Sequence, residues 1–138
     1  MNRAQLLSGL AMLLYTASCA DVTSEEPATR LGRFRLARIN GIEPPAFVTE
    51  GAAARIDFLA GALHLETDGS FTDSTDLRVT PKTGGSIHTE TDVAIGRYRI
   101  SNDTVFFDST RGEHYVMVYI SQQALKQELG GSTLLYNR

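Results

Sequence analysis

Leu63-His64-Leu65-Glu66-Thr67-Asp68-Gly69-Ser70-Phe71 is the stretch whose reading decides how this chain folds. Leu63 and Leu65 alternate with His64 and Glu66, the two-residue period of a strand with one apolar face and one polar face. Asp68-Gly69 follows, and both residue types tolerate the left-handed backbone angles that a tight hairpin requires. Phe71, Thr75, Leu77 and Val79 then share a face, so the chain returns as a second strand.

The same grammar extends outward on both sides. Ala54 to Leu59 alternates, with Ile56 and Phe58 on one face. Further upstream, Phe34 and Leu36 are followed by Ala37 and Ile39, a change of phase that predicts a bulge. Asn40-Gly41 ends that strand, and Glu43-Pro44-Pro45, which cannot join a central ladder, predicts loop. Downstream, Pro81-Lys82-Thr83-Gly84-Gly85 breaks the chain direction. Between Ile87 and Ile100 the apolar positions move from odd (Val93, Ile95) to even (Tyr98, Ile100), which predicts a bulge or barrel corner at Gly96. Asn102-Asp103 and Arg111-Gly112 predict turns. Tyr115 to Ile120 is apolar on both faces and reads as a central strand covered on both sides. Gln122 to Leu129 is rich in helix formers, but a short helix is marginal. Leu125, Gln127 and Leu129 on one face, with Gly130-Gly131 turning into Thr133 to Asn137, favour a strand there. The result is an all-β chain of roughly eight to ten short strands with turn signals about every 8–12 residues, the pattern of an antiparallel meander closing into a small barrel. Closure would remove the open edges that an exported β domain would otherwise expose. Ile56, Phe58, Leu63, Leu65, Phe71, Leu77, Val105, Phe107 and Tyr115 are the expected core.

Several of these segments together resemble a known pattern. Gly32-Arg33-Phe34-Arg35-Leu36, running through Asn40-Gly41 to Pro44-Pro45, is similar to the opening of small bacterial lipocalin-like lipoprotein domains. Gly61-Ala62-Leu63-His64-Leu65 with Asp68-Gly69-Ser70-Phe71 resembles their next hairpin, Gly96-Arg97-Tyr98 their mid-chain Gly-x-Tyr, and Leu135-Tyr136-Asn137-Arg138 their ending. The likeness covers residues 32–138. It implies a lipocalin-like barrel and a cell-envelope location, and it carries no catalytic residues over, because such domains share none.

The N-terminal segment carries the address. Arg3 precedes an apolar run from Leu6 to Tyr15, and small residues follow at Ala17 and Ser18, the layout of a secretory signal. That run is far shorter than the ~20 residues a membrane-spanning helix needs. Cys19, the only cysteine, stands where cleavage would leave it first in the mature chain. This resembles a bacterial lipoprotein signal and implies lipidation of Cys19, with residues 1–18 removed; the alternative is an ordinary cleaved signal that leaves a free thiol. A lone cysteine excludes an intramolecular disulfide. Ala20 rather than Asp follows Cys19, which by similarity to bacterial lipoprotein sorting implies the outer membrane, facing the periplasm. Residues 19–31 are polar, contain Glu25, Glu26 and Pro27 and show no apolar period, so they read as a flexible tether to the domain at 32–138.

Charge and motifs narrow the function classes. The chain carries 13 basic and 16 acidic residues, and residues 1–18 contain only Arg3 among the charged groups, so the mature balance is mildly acidic. No basic run interleaves with aromatics, which argues against a nucleic-acid surface. His64-x-Glu66 and His88-x-Glu90 have residue types that suit zinc, and His114 adds a third imidazole. The phase of Leu63 and Leu65 places His64 outside the barrel, so no metal site is expected. Asp73, Asp76, Asp92, Asp103 and Asp108 could supply acid–base pairs, but Asp also serves turns through backbone hydrogen bonds. No nucleophile elbow surrounds any serine, and no Lys-Ser/Thr follows Gly84-Gly85 or Gly130-Gly131 in a phosphate-loop pattern. Arg33, Arg35, Arg97 and Arg99 could line an anion site, but as alternating strand residues they are expected to face solvent or pair with nearby carboxylates. The expectation is therefore a non-enzymatic protein without cofactor, anchored to a membrane by lipid. Either the barrel binds a small apolar or cell-envelope ligand, or a filled barrel docks or inhibits an envelope protein.

Overall fold

The computed structural model describes residues 28–138. The expected signal segment, Cys19 and the expected tether as far as Pro27 lie outside the described residues. Nine strands follow a single 3₁₀ turn at Ala28–Arg30. They are β1 (Gly32–Ile39), β2 (Ala46–Glu50), β3 (Ala54–Leu65), β4 (Ser70–Pro81), β5 (His88–Ser101), β6 (Thr104–Ser109), β7 (His114–Ser121), β8 (Ala124–Leu129) and β9 (Ser132–Asn137). From β2 to β9 each strand pairs with its sequence neighbour, and β1 pairs with both β9 and β3. Every pairing is antiparallel, and eight strands make a closed barrel with β2 as an extra strand beside it. The expected meander barrel is thus present.

The long strand β3 explains the place of β2. Its second half, Ala62–Leu65, pairs with Gly32–Arg35 of β1, whereas its first half, Arg55–Phe58, pairs with β2. Ala46 and Val48 turn inward and are buried, and Phe47 turns out. The adjacent prolines drew the sequence reading of this region toward loop, and the short alternating stretch after them went unread.

Two bulges set the inward phase. The β1 register slips between Leu36 and Arg38, as its change of apolar parity predicts. In β3 the register slips between Phe58 and Ala60, so Ile56 and Phe58 face inward before the slip and Leu63 and Leu65 after it. No such slip occurs at Gly96. Strand β5 pairs without interruption with β4 and β6, and its even positions Ala94, Tyr98 and Ile100 turn inward throughout. The apparent change of phase arose because Val93 and Ile95 are apolar residues on the outer face. Gly96 has another role: a Cβ built there would lie 2.0 Å from the Asp108 carbonyl oxygen, so only glycine allows β6 to approach so closely.

All nine expected core residues are buried or pack against the buried core. Phe71, Phe107 and Tyr115 form one aromatic layer. Phe107 stacks on Tyr115 at 4.7 Å between ring centroids, and Phe71 meets Phe107 edge-on at 4.9 Å. Phe34, Ile39, Met117, Leu125, Leu134 and Tyr136 complete the interior. The strand reading of residues 122–129 holds: β8 turns through Gly130 (φ 56°) and Gly131 (φ 85°) into β9. The expectation for Tyr115 to Ile120 does not hold. Met117 and Tyr119 are buried, but Val116, Val118 and Ile120 are exposed, because among the described residues no second layer covers the outside of β7.

The meander gives the barrel two ends. The loops at 66–69, 102–103 and 122–123 lie at one end, here the base, together with the entering chain at Leu31. Those at 40–45, 51–53, 82–87, 110–113 and 130–131 lie at the other, the mouth. The last residues of the expected tether are docked at the base. The Arg30 guanidinium donates to the Asn102 carbonyl (3.0 Å) and to Asp103 Oδ1 (2.7 Å), and it lies 4.2 Å over the Tyr119 ring. Tyr119 Oη donates to the Arg30 carbonyl, and Arg138 donates to the Leu31 carbonyl while covering the Phe34 ring at 5.2 Å.

Candidate functional site

The alternation of β4 that brings Phe71, Thr75 and Leu77 inward brings Asp73 inward as well, because it shares their parity. Asp73 and Ala94 face one another across β4 and β5 just above the aromatic layer. Here the barrel leaves a pocket of about 260 Å³. Its apolar walls are Phe58, Leu77, Ala94 and Leu129, its inner groups include Asp73, Thr75, Tyr115, Gln127 and Tyr136, and Asp92, Arg111, Glu113 and His114 stand on its rim. The opening follows from strand geometry. Pairing of β7 with β8 is confined to Val118–Ser121 against Ala124–Lys126, so toward the mouth the two strands part where Tyr115 and Gln127 face the pocket.

Asp73 is the chemically unusual group in this pocket. Tyr115 Oη donates to its Oδ2 at 2.8 Å, while Oδ1 is shielded from solvent and has no hydrogen-bond partner. Burial pushes its carboxyl up to about 6, against the stabilising hydrogen bond from Tyr115 and with a further upward push from the Asp92 charge. The same burial, with the Asp73 charge close by, raises both Tyr115 and Tyr136, so both phenols stay protonated at neutral pH.

The rim is a separate ionic set. Arg111 makes a bidentate pair with Asp92, Nη1 to Oδ1 at 2.7 Å and Nη2 to Oδ2 at 3.2 Å, and Nη2 also reaches Glu113 Oε2 at 3.0 Å. Arg111 accordingly holds the Asp92 carboxyl below its usual range. His114 is occupied by Asp108, Nδ1 to Oδ1 at 2.7 Å. Other surface depressions are larger, such as the one of about 420 Å³ beside Arg30, Asp103 and Tyr119, but there the charged groups already pair with one another.

The residues singled out in the sequence are dispersed. His64 lies on β3 near the base, 3.1 Å from Glu66 Oε1; His88 begins β5 and contacts the Ser86 carbonyl at 3.2 Å; His114 begins β7. Among the described residues no group of three or more His, Cys, Asp or Glu side chains could hold a metal ion. Arg33, Arg35, Arg97 and Arg99 are exposed, with Arg99 lying 3.9 Å over the Phe106 ring. Of the five aspartates that the sequence offered to turns, only Asp103 occupies one; Asp73, Asp76, Asp92 and Asp108 are strand residues. The roles of Asp73, Tyr115 and Tyr136 at one pocket were missed. The odd parity of Phe71-x-Asp73-x-Thr75-x-Leu77 was the signal that could have found the first of them. Cys19 lies outside the described residues. No family model matches the chain, and no curated protein or solved structure matches it.

Proposed function

We propose that this protein is an envelope lipoprotein, anchored through Cys19 to the periplasmic face of the outer membrane, whose barrel binds a small apolar or cell-envelope ligand at its mouth. The observation that carries the binding reading is the pocket above the Phe71–Phe107–Tyr115 layer. It combines apolar walls with a few convergent polar groups, the composition of small-molecule sites, and its volume of about 260 Å³ falls just below their ~300–1,000 Å³ range. The aromatic layer fills the barrel below it, so the ligand would be short or only partly enclosed. The reading is one of binding without a chemical step. Native mass spectrometry of the purified protein tests it: a retained small molecule that Leu77→Trp displaces supports the reading, and an empty protein that gains no mass from an envelope extract opposes it. For the address, Cys19→Ala should move the protein out of the membrane fraction and abolish acyl labelling. A variant that stays membrane-bound would remove the anchor from the proposal. Stable anchoring would need the several acyl chains of a mature lipoprotein, since one chain binds only marginally.

A second reading, in which the domain docks or inhibits an envelope protein, is favoured by one observation. Val116, Val118 and Ile120 are exposed in a row on the outside of β7. Apolar rows of this kind mark interaction surfaces when they form part of a larger patch. Val118→Lys should abolish capture of such a partner and leave retention of a small molecule unchanged.

A further inference from the structure

We propose that the mouth pocket selects small amphipathic amines, with the ammonium group seated against Asp73 and the hydrocarbon against Phe58, Leu77, Ala94 and Leu129. This rests on the binding reading above and names the ligand class.

Three observations lead to it. First, a buried carboxylate with one unpartnered oxygen is costly, and a ligand that supplies the missing donor removes that cost. Asp73 Oδ1 is such an oxygen, and because it is shielded from solvent an ammonium group reaches it only with a small turn of the side chain toward the pocket that Asp73 lines. Its other oxygen already accepts from Tyr115, which keeps the carboxylate at the pocket wall. Second, the charged lining leans acidic. Asp73, Asp92 and Glu113 face the pocket against Arg111 and His114, and both basic groups are engaged, Arg111 by Asp92 and Glu113, and His114 by Asp108. A carboxylate ligand would meet an uncompensated like charge in a partly desolvated site, where such repulsion is strong. Third, the neighbours of Asp73 cannot neutralise it. Tyr115 and Tyr136 are hydroxyl groups held protonated, Gln127 is neutral, and no arginine or lysine in the lining reaches it. A protonated amine supplies the charge and the N–H together. A neutral alcohol supplies only a weaker donor, and a quaternary ammonium has no N–H to give.

The test uses the purified full-length protein and three probes of one chain length: n-hexylamine, 1-hexanol and hexanoate. Binding is followed by NMR titration at pH 7.5 and again at pH 5. At pH 7.5 hexylamine should bind on the order of tenfold more tightly than hexanol, the ratio expected between a charge-assisted and a neutral hydrogen bond, and hexanoate should bind weakest. The amine keeps its charge at both pH values, whereas Asp73, pushed up to about 6, is mostly ionised at pH 7.5 and mostly protonated at pH 5. The amine preference should therefore collapse at the lower pH. Asp92 stays ionised under Arg111, the two tyrosines stay neutral, and Glu113 shares the Arg111 guanidinium. The lining has a single imidazole, and His114→Gln should leave the pH effect in place. Asp73→Asn should make amine and alcohol equal; if that variant does not fold, the pH comparison on the unaltered protein decides. Equal binding of amine and alcohol at pH 7.5, or tightest binding of hexanoate, overturns the amine selection and leaves the pocket reading standing. Failure of all three probes to bind overturns both.

Discussion

The base and the mouth of this barrel are built from the same strands and are finished differently. At the base, Arg30 and Arg138 cap the Tyr119 and Phe34 rings, and their donors meet the carbonyls of Asn102 and Leu31. At the mouth, the ionic groups pair with each other along the rim, while Asp73 below them keeps one oxygen unpartnered. A chain selected for stability alone would have an apolar residue at Asp73, as at Leu77 on the same face. The difference separates the end that holds the fold from the end proposed to bind.

The largest blow to this contrast would come from removing what both ends rest on. Phe107 lies between the Phe71 edge and the Tyr115 face and is 1 % exposed. Phe107→Ala should cost about 3–5 kcal/mol in chemical denaturation, and a loss under 1 kcal/mol would mean that the aromatic layer does not bear on stability.

The next effect isolates the mouth. A carboxyl whose folded value is raised binds its proton more tightly in the native state than in the unfolded chain. Its contribution is therefore greatest at low pH and is lost as pH rises from the unfolded value toward the folded one. For Asp73 that window runs from 3.8 to about 6. Between pH 4 and pH 7 the natural protein should lose about 2–3 kcal/mol relative to Asp73→Asn. Parallel pH–stability curves for the two proteins would show that Asp73 is not buried as described.

A smaller effect belongs to the base. Arg30→Ala removes the hydrogen bond to the Asn102 carbonyl and the stack on Tyr119, and should lower stability by about 1–2 kcal/mol. It should not alter probe binding at the mouth. A change in affinity would show that the two ends are coupled.

The smallest expected effect is none. With His64 on β3 near the base and His88 and His114 on β5 and β7 toward the mouth, chelator treatment should leave the melting temperature unchanged. A chelator-induced drop, together with bound zinc, would promote these histidines to ligands.

The barrel was legible because its two signals are local. Alternation such as Leu63-x-Leu65 and turn pairs such as Asp68-Gly69, Asn102-Asp103 and Gly130-Gly131 each act within a few residues, and the hairpins they make join from β3 to β9 as a meander. Features that depend on what lies across the sheet were misread. Gly96 is explained by the β6 backbone opposite it, and the bare outer face of β7 by the absence of a covering layer among the described residues. The site failed for a similar reason. Asp73 is an ordinary polar residue until its parity is joined to that of Phe71 and Leu77 and to Tyr115, 42 positions away. Tyr136 read only as part of an ending that resembled other domains, yet it also closes the pocket wall.

Because the chain enters at Leu31, at the end opposite the pocket, a leash fixed at Cys19 would hold the domain by its base. The turn at Ala28–Arg30 is docked, so only residues 20–27 would separate the domain from the anchor, roughly 15 Å if they behave as a flexible coil. The open end would then look into the aqueous compartment. Cargo would arrive by free diffusion through water rather than by lateral transfer out of lipid. On that arrangement the ceiling on a ligand would be its own solubility, and long-chain lipids, which spend little time in water, would be poor cargo.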